Sequence, residues 1–335
     1  MSRKTAIVAL AMLLAVLPAG CGGSRDALTI YSGRTQNLIG PLLERFNKET
    51  GIAIDVKYGD SAELALLLAE EGDRSPADVF LSQSPGATGF LAGKGLMGQL
   101  EASVLDKVDP RFRHADGRWV GVSGRQRVLV YNAEEVPRSE LPDSVLELTD
   151  ARYAGKVAVA PSNGSFQDFV TAMRELEGEE ATERWLKAMA ANKARTYANN
   201  NAIVEAVSRG EIEMGLVNHY YNHRFKQENP FTPSRNHTFA DGDVGALVIP
   251  STASVLAGTD KAEEAGRFVD FLLSAESQRY FSDQTFEYPL VAGIPAASGL
   301  PPLASLKSPE VDVDSLGGGL ERTVELIRSS GFNGV

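Results

Sequence analysis

Residues 28–58 read LTIYSGRTQNLIGPLLERFNKETGIAIDVKY, and their pattern decides the fold class. The run at 28–31 is short, apolar and β-branched at its centre, so it reads as a strand. Leu38, Ile39, Leu42, Leu43 and Phe46 then recur at helical spacing, Gly51 stops that helix, and 52–58 alternates like a second strand. Leu64, Leu67 and Leu68 mark another helix before Pro76 and a third strand at 78–81. This βαβ rhythm predicts a mostly parallel sheet with helices on both faces. Ligands of such sheets lie at the carboxyl ends of strands, which makes 32–35 and 82–84 candidate site loops.

The rhythm restarts near Lys156, with a strand at 157–160, a polar turn at 161–165, a helix from Gln167, a helix at 202–209 and a strand at 213–217. Between the two blocks lie strongly β-forming segments at 128–131 and 244–249, which are expected to cross from one lobe to the other. Two crossings imply discontinuous lobes, an N-terminal one of 28–126 with 251–301 and a C-terminal one of 127–250 with 302–335. The glycines at 317–319 read as a turn before a last helix. Two lobes joined by a two-strand hinge, each with a mixed but mostly parallel sheet, make a type II periplasmic-binding-protein architecture, which traps a solute by hinge closure.

The chain has 335 residues and a formal charge of −11, with one cysteine. A disulfide scaffold or a structural zinc site of several cysteines is excluded, and no dense Lys/Arg run offsets the acidity to favour nucleic acid. Arg3 and Lys4 precede an apolar run at 6–17 of signal-peptide length, which ends at Pro18-Ala19-Gly20-Cys21. Small residues directly before a cysteine resemble the lipobox of bacterial lipoproteins. Residues 1–20 are therefore expected to be a lipoprotein signal peptide, Cys21 the acylated residue and 21–27 a tether. Loss of Arg3 and Lys4 takes the charge from −11 to −13. The expected product is extracytoplasmic, tethered to the cell membrane by its lipid and otherwise soluble.

Tyr220 and Tyr221 follow the strand at 213–217 within Asn218-His219-Tyr220-Tyr221-Asn222-His223. Ferric iron is a hard cation that selects oxygen donors, and a multivalent cation favours the ionised phenolate. The alternative is a packed ring with a wet hydroxyl. His219 and His223, four apart, admit zinc or copper on one helix face, against a default of exposed or capping histidines. The polar turn before Gln167 offers backbone N–H groups and a helix N-terminus to an anion, or simply caps the helix. Arg34, Arg125 and Arg127 are further candidate anion holders. No HExxH or GxSxG occurs, so an enzyme is not expected.

Ordered motifs across the chain carry a resemblance: YSGR at 31–34, SPADVF at 75–80, SGRQRVLVYN at 123–132, SNGSFQ at 162–167, NNNAIVEAV at 199–207, NHYYNHR at 218–224 and EYPLVAG at 287–293. Together they are similar to the bacterial ferric-iron-binding periplasmic proteins, the transferrin-like receptors of iron ABC importers. The resemblance implies that Tyr220 and Tyr221 bind Fe(III) and that Gly164, Ser165, Asn200 and Asn218 hold a synergistic anion, carbonate or phosphate. Arg34, Arg125 and Arg127 suit the same anion through forked hydrogen bonds. Thr35 stands where some members place a histidine and Gln83 where one subgroup has a carboxylate, so both are possible further contacts. The implied partners are an ABC permease and its ATPase subunit, with the binding protein itself a monomer. A same-scaffold receptor for a phosphonate or sugar phosphate, without metal, is the alternative.

Overall fold

The computed structural model describes residues 27–313 and 315–332, so the expected leader and Cys21 lie outside the described residues. The strands are β1 (Leu28–Ser32), β2 (Ile54–Tyr58), β3 (Val79–Ser82), β4 (Val120–Asn132), β5 (Val157–Val159), β6 (Arg195–Thr196), β7 (Met214–Asn218), β8 (Ser234–His237) and β9 (Val248–Val255). They form one mixed sheet in the order β2-β1-β3-β9-β4-β7-β5-β6, with β8 also on β4. The outer pairs on each side, β1 with β2 and β3 and β5 with β6 and β7, are parallel. The central pairs made by β4 and β9 are antiparallel.

Successive strand residues face opposite sides of a sheet, and here both sides are buried. In the first half Leu28, Ile30, Val79 and Leu81 join one apolar cluster with Phe46 and Phe268, while Tyr31 and Phe80 join another with Leu64 and Leu91. In the second half Leu129, Tyr131 and Leu216 pack with Phe166, Phe169 and Trp185, while Val128, Val130 and Val217 pack with Val204 and Tyr220. Each half thus carries helices on both faces and its own core. Leu303 and Leu306 lean on the first half's core, and Val313, Leu316 and Leu326 belong to that of the second.

The crossing strands are longer than their apolar signal. β4 runs 13 residues and is buried throughout. Its first half pairs with β9, from Val120 opposite Ala253 to Gln126 opposite Val248, with a register shift between Gly121 and Ser123. Its second half pairs with β7, from Arg127 opposite Asn218 to Tyr131 opposite Met214. The expected crossing at 128–131 is therefore only the apolar end of a strand whose polar stretch, 123–127, is buried as well. The expected strand at 244–249 is corrected: Val244–Ala246 is a 3-10 turn, and β9 starts at Val248. The Asp243 carboxylate accepts from the Gly245 N–H at 2.7 Å and bends the chain there.

Candidate functional site

β7 ends at Asn218 and the helix His219–Glu228 starts at the next residue, so Tyr220 and Tyr221 stand in its first turn. Their rings stack with centroids 4.1 Å apart and planes at 28°. Tyr220 is fully buried and its hydroxyl has no hydrogen-bond partner. Burial, then the neighbouring Tyr221 and Glu287, pushes this phenol well above its ordinary 10.0, against the pull of Arg125 and Arg34. Alone, the phenol is neutral, and leaving its hydroxyl unpaired costs on the order of 1–3 kcal/mol. A multivalent cation reverses that balance by stabilising the phenolate.

Arg125 and Arg127 sit two apart on β4, on one side of the strand, where β4 changes partner from β9 to β7. Arg125 Nη2 donates to the Pro250 carbonyl at 3.0 Å and to the Gln83 carbonyl, while its Nε and Nη1 are buried without partners. Arg127 reaches Ser165 Oγ and the Leu216 carbonyl at 3.4 Å each, lies over the rings of Phe166 and Phe169, and keeps an unpartnered Nε. Burial, then the charge of Arg125, pushes its guanidinium below the usual arginine range. Two buried cations on one side of a strand, close enough to repel and with spare donors, suit an anion.

Asn163 caps the helix Gly164–Glu177 by accepting from Ser165, and Asn200 opens the helix Asn200–Ser208. Asn200 Nδ2 donates to Asn163 Oδ1 at 3.2 Å and to Ser165 Oγ at 3.4 Å, leaving its Oδ1 unpaired, and Asn218 Nδ2 is unpaired as well. Hydrogen bonds therefore connect Arg127, Ser165 and Asn200, and Asn218 stands opposite Arg127 in the β4–β7 register. Two helix N-termini meet there, which adds their dipoles to the pull on a negative ligand. Gly164 is the first residue of the helix Gly164–Glu177, and an added Cβ on it would lie 3.4 Å from Ser84 Cβ.

Arg34 is placed differently from the expectation that it holds an anion. Its fork faces Glu287: Nη1 donates to Glu287 Oε1 at 2.9 Å and to Ser251 Oγ at 2.6 Å, and Nη2 donates to Glu287 Oε2. Both side chains are fully buried, and Glu287 accepts further from Ser123 at 3.0 Å and Thr285 at 2.8 Å. Only Arg34 Nε is left unpartnered. The glycine of the YSGR turn is required by packing, since a Cβ on Gly33 would fall 1.9 Å from Ser61 Oγ. Thr35 is exposed and donates its hydroxyl to Asn37 Oδ1 at 2.5 Å. Gln83 turns its amide to the Gly33 carbonyl at 2.8 Å and meets Arg125 through its own backbone carbonyl.

The histidine pair is not a zinc site. His219 Nδ1 accepts from the Gln126 N–H at 3.1 Å and Nε2 donates to the Phe286 carbonyl at 2.7 Å, so neither nitrogen is free for a metal. Burial, then the proximity of His223, pushes His219 down to about 3, which keeps the ring neutral. Among the described residues no three His, Cys, Asp or Glu side chains gather in a metal-sized group. A cavity of about 950 Å³ exists, but it lies over Phe46, Leu100 and Phe271, none of them a site residue. The tyrosine site is closed, and its mark is a set of unpaired buried polar atoms.

Sequence reasoning passed over Glu287 and Asp168. Asp168 is buried, and its Oδ1 accepts from Ser84 Oγ at 2.6 Å and from the Gly86 N–H at 3.2 Å, across to the helix Pro85–Gly93 of the first half. Its signal was present, an aspartate amid Phe166, Phe169, Val170 and Met173, all buried on one helix.

Comparison with known proteins identifies the family. The bacterial extracellular solute-binding protein family matches residues 74–312. The Fe(3+)-binding periplasmic protein of Serratia marcescens is 33% identical over 98% of this chain and 96% of its own length. This chain belongs to the ferric-iron-binding periplasmic proteins. Iron-bound HitA from Pseudomonas aeruginosa superposes with a TM-score of 0.87 at 35% identity, covering 91% of this chain and 99% of that one. A Trichodesmium protein in complex with iron and citrate superposes at 0.78 with 30% identity, covering 92% and 100%. As a ferric-iron-binding periplasmic protein, the chain is a two-lobed extracytoplasmic binding protein of the solute-transport class, and its family is one of carriers, not enzymes.

Proposed function

We propose that the protein captures Fe(III) as its cargo on Tyr220 and Tyr221, together with a synergistic anion held by Arg125, Arg127, Ser165, Asn200 and Asn218. The observation that carries this is the Tyr220 hydroxyl, fully buried, stacked on a second tyrosine and unpartnered. Buried polar atoms without partners are rare, and Tyr220, Arg125, Arg127, Asn200 and Asn218 each carry at least one. Oxygen donors suit a hard trivalent ion, and the two phenolates with a dianion offset its charge and that of the arginines. Enclosure between the lobes lowers the local dielectric and strengthens each of these bonds. Arg34 contributes its charge from behind, with its fork committed to Glu287.

The lobes, 28–126 with 251–301 and 127–250 with 302–335, then open at an ABC permease, whose ATPase drives import. Acylated Cys21 keeps the monomeric carrier at the membrane. Carbonate and phosphate both match the donor set. A second reading, a small phosphonate or sugar phosphate without metal, draws on the spare donors of Arg125, Arg127 and Asn218.

The test is to add ferric citrate to iron-stripped protein and look for a visible tyrosinate-to-iron charge-transfer band. Colour is expected in the wild type and is lost in Tyr220→Phe and Tyr221→Phe. A colourless wild type that still binds phosphate would sink the iron assignment and leave the anion one. Exchanging buffer anions in the same titration identifies the partner anion.

A further inference from the structure

We propose that His219 is a positioning residue for the tyrosine pair, registering the first turn that carries Tyr220 and Tyr221 against the three-residue segment, 286–288, that anchors Arg34. The proposal rests on the iron assignment above.

Bonds from three different parts of the molecule end on that segment. The Phe286 carbonyl accepts from His219 Nε2 at 2.7 Å. The Glu287 carboxylate takes the fork of Arg34. Tyr288 exchanges backbone hydrogen bonds with Gly124 of β4, 2.8 Å in one direction and 2.7 Å in the other, and its ring stacks on His219 with centroids 4.7 Å apart. The other His219 nitrogen accepts the N–H of Gln126, the last β4 residue paired with β9. The imidazole thus joins the strand at its change of partner, the tyrosine turn and the Arg34 anchor. Its edge meets Tyr220 at 6.0 Å and 81°.

Backbone strain points to the same place. Phe286 has φ +60°, one of two described non-glycine residues with positive φ. Such a conformation is held only where the surroundings over-determine it. Here the end of the helix Ala275–Asp283 holds it, through the Phe286 N–H on the Ser282 carbonyl at 3.1 Å and the Glu287 N–H on the Phe281 carbonyl at 3.0 Å, together with His219 on its carbonyl and His223 stacked on its ring at 5.7 Å. Any buried imidazole needs both nitrogens paired; what distinguishes this one is that its two partners belong to β4 and to the segment that anchors Arg34, so it ties the tyrosine turn to both. The acceptor role of Nδ1 fixes the tautomer with the proton on Nε2, so the ring has one orientation in which both bonds form. Tyr220 follows it directly in the chain and inherits that orientation.

The test compares wild type, His219→Phe and His219→Gln, loaded with ferric citrate. Phenylalanine keeps the stack on Tyr288 and loses both hydrogen bonds, whereas glutamine keeps a donor for the Phe286 carbonyl. His219→Phe is expected to melt cooperatively, to show a charge-transfer band moved in wavelength and weakened, and to lose iron to a competing chelator about tenfold faster, the factor set by one net hydrogen bond. His219→Gln is expected to fall between. A coloured wild type with an unaltered band and release rate in His219→Phe overturns the positioning role alone. If His219→Phe fails to fold, His219→Gln decides: an intermediate band and rate support the role, and wild-type values overturn it. A colourless wild type overturns the iron assignment and this proposal with it.

Discussion

Asp168→Asn should remove a pH dependence that the wild type carries. Burial pushes the Asp168 carboxyl from 3.8 up to about 7, opposed by the hydrogen bond from Ser84, by Arg125 and by the Gly86 N–H, with Asp60 adding to the rise. Its Oδ2 has no partner while Oδ1 takes both donors, so a proton on Oδ2 leaves the contact to Ser84 and Gly86 in place. A carboxyl whose folded pKa is raised stabilises the fold fully below its unfolded pKa, and that stabilisation disappears as pH rises through the folded value. At pH 5, two units below about 7, the wild type holds two units of this effect, each worth about 1.4 kcal/mol. At pH 8 almost nothing remains. The wild-type-minus-Asn difference in unfolding free energy should therefore favour the wild type by about 3 kcal/mol more at pH 5 than at pH 8. Urea unfolding of the ligand-free proteins at both pH values measures it, and the subtraction cancels every other titrating group. A difference that is flat across this range, or that grows toward pH 8, rules out a carboxyl protonated in the closed contact.

Glu287→Gln leaves the fully buried Arg34 without its counter-charge, and breaking such a pair costs about 3–5 kcal/mol, read from the shift of the urea midpoint at constant m-value. Gly33→Ala would put a Cβ 1.9 Å from Ser61 Oγ and should destabilise by about 1–3 kcal/mol, with partial recovery in Gly33→Ala/Ser61→Ala. No recovery in that double variant would place the strain elsewhere in the turn.

The parts of the fold that sequence reveals are those with a half-polar period. Residues 36–58 show helix and strand because one face of each element differs from the other in polarity, and 28–31 shows as a short apolar run with a β-branched centre. β4 hides because every residue of it is buried, so neither alternation nor composition marks the polar stretch around Arg125 and Arg127 as strand. At the candidate site, the tyrosines stand out by adjacency at a strand end and Ser165 by the polar turn before a helix, whereas Asn200 and Asn218 enter only through the resemblance to the family. What stays hidden is the choice of long-range partner. Arg34 meets Glu287 across 253 positions and Ser84 meets Asp168 across 84, distances over which no periodicity carries information. The spacing of His219 and His223 correctly puts both on one helix, but spacing does not say whether a ring nitrogen is already spoken for.

The place of Arg125 and Arg127 on β4 has a mechanical consequence. A rigid rotation moves each atom in proportion to its distance from the axis, and both arginines sit where β4 leaves β9 for β7, beside any axis that passes through the crossing strands. Ser84 and Gly86 reach Asp168 from the opposite wall and belong to the other half, so a rotation between the halves carries them away from it. The proposed opening of the lobes would therefore unroof the pocket while leaving its positive floor nearly still. Cargo would be uncovered before it is dislodged, so the order of events on release is built into where two side chains fall along a single strand.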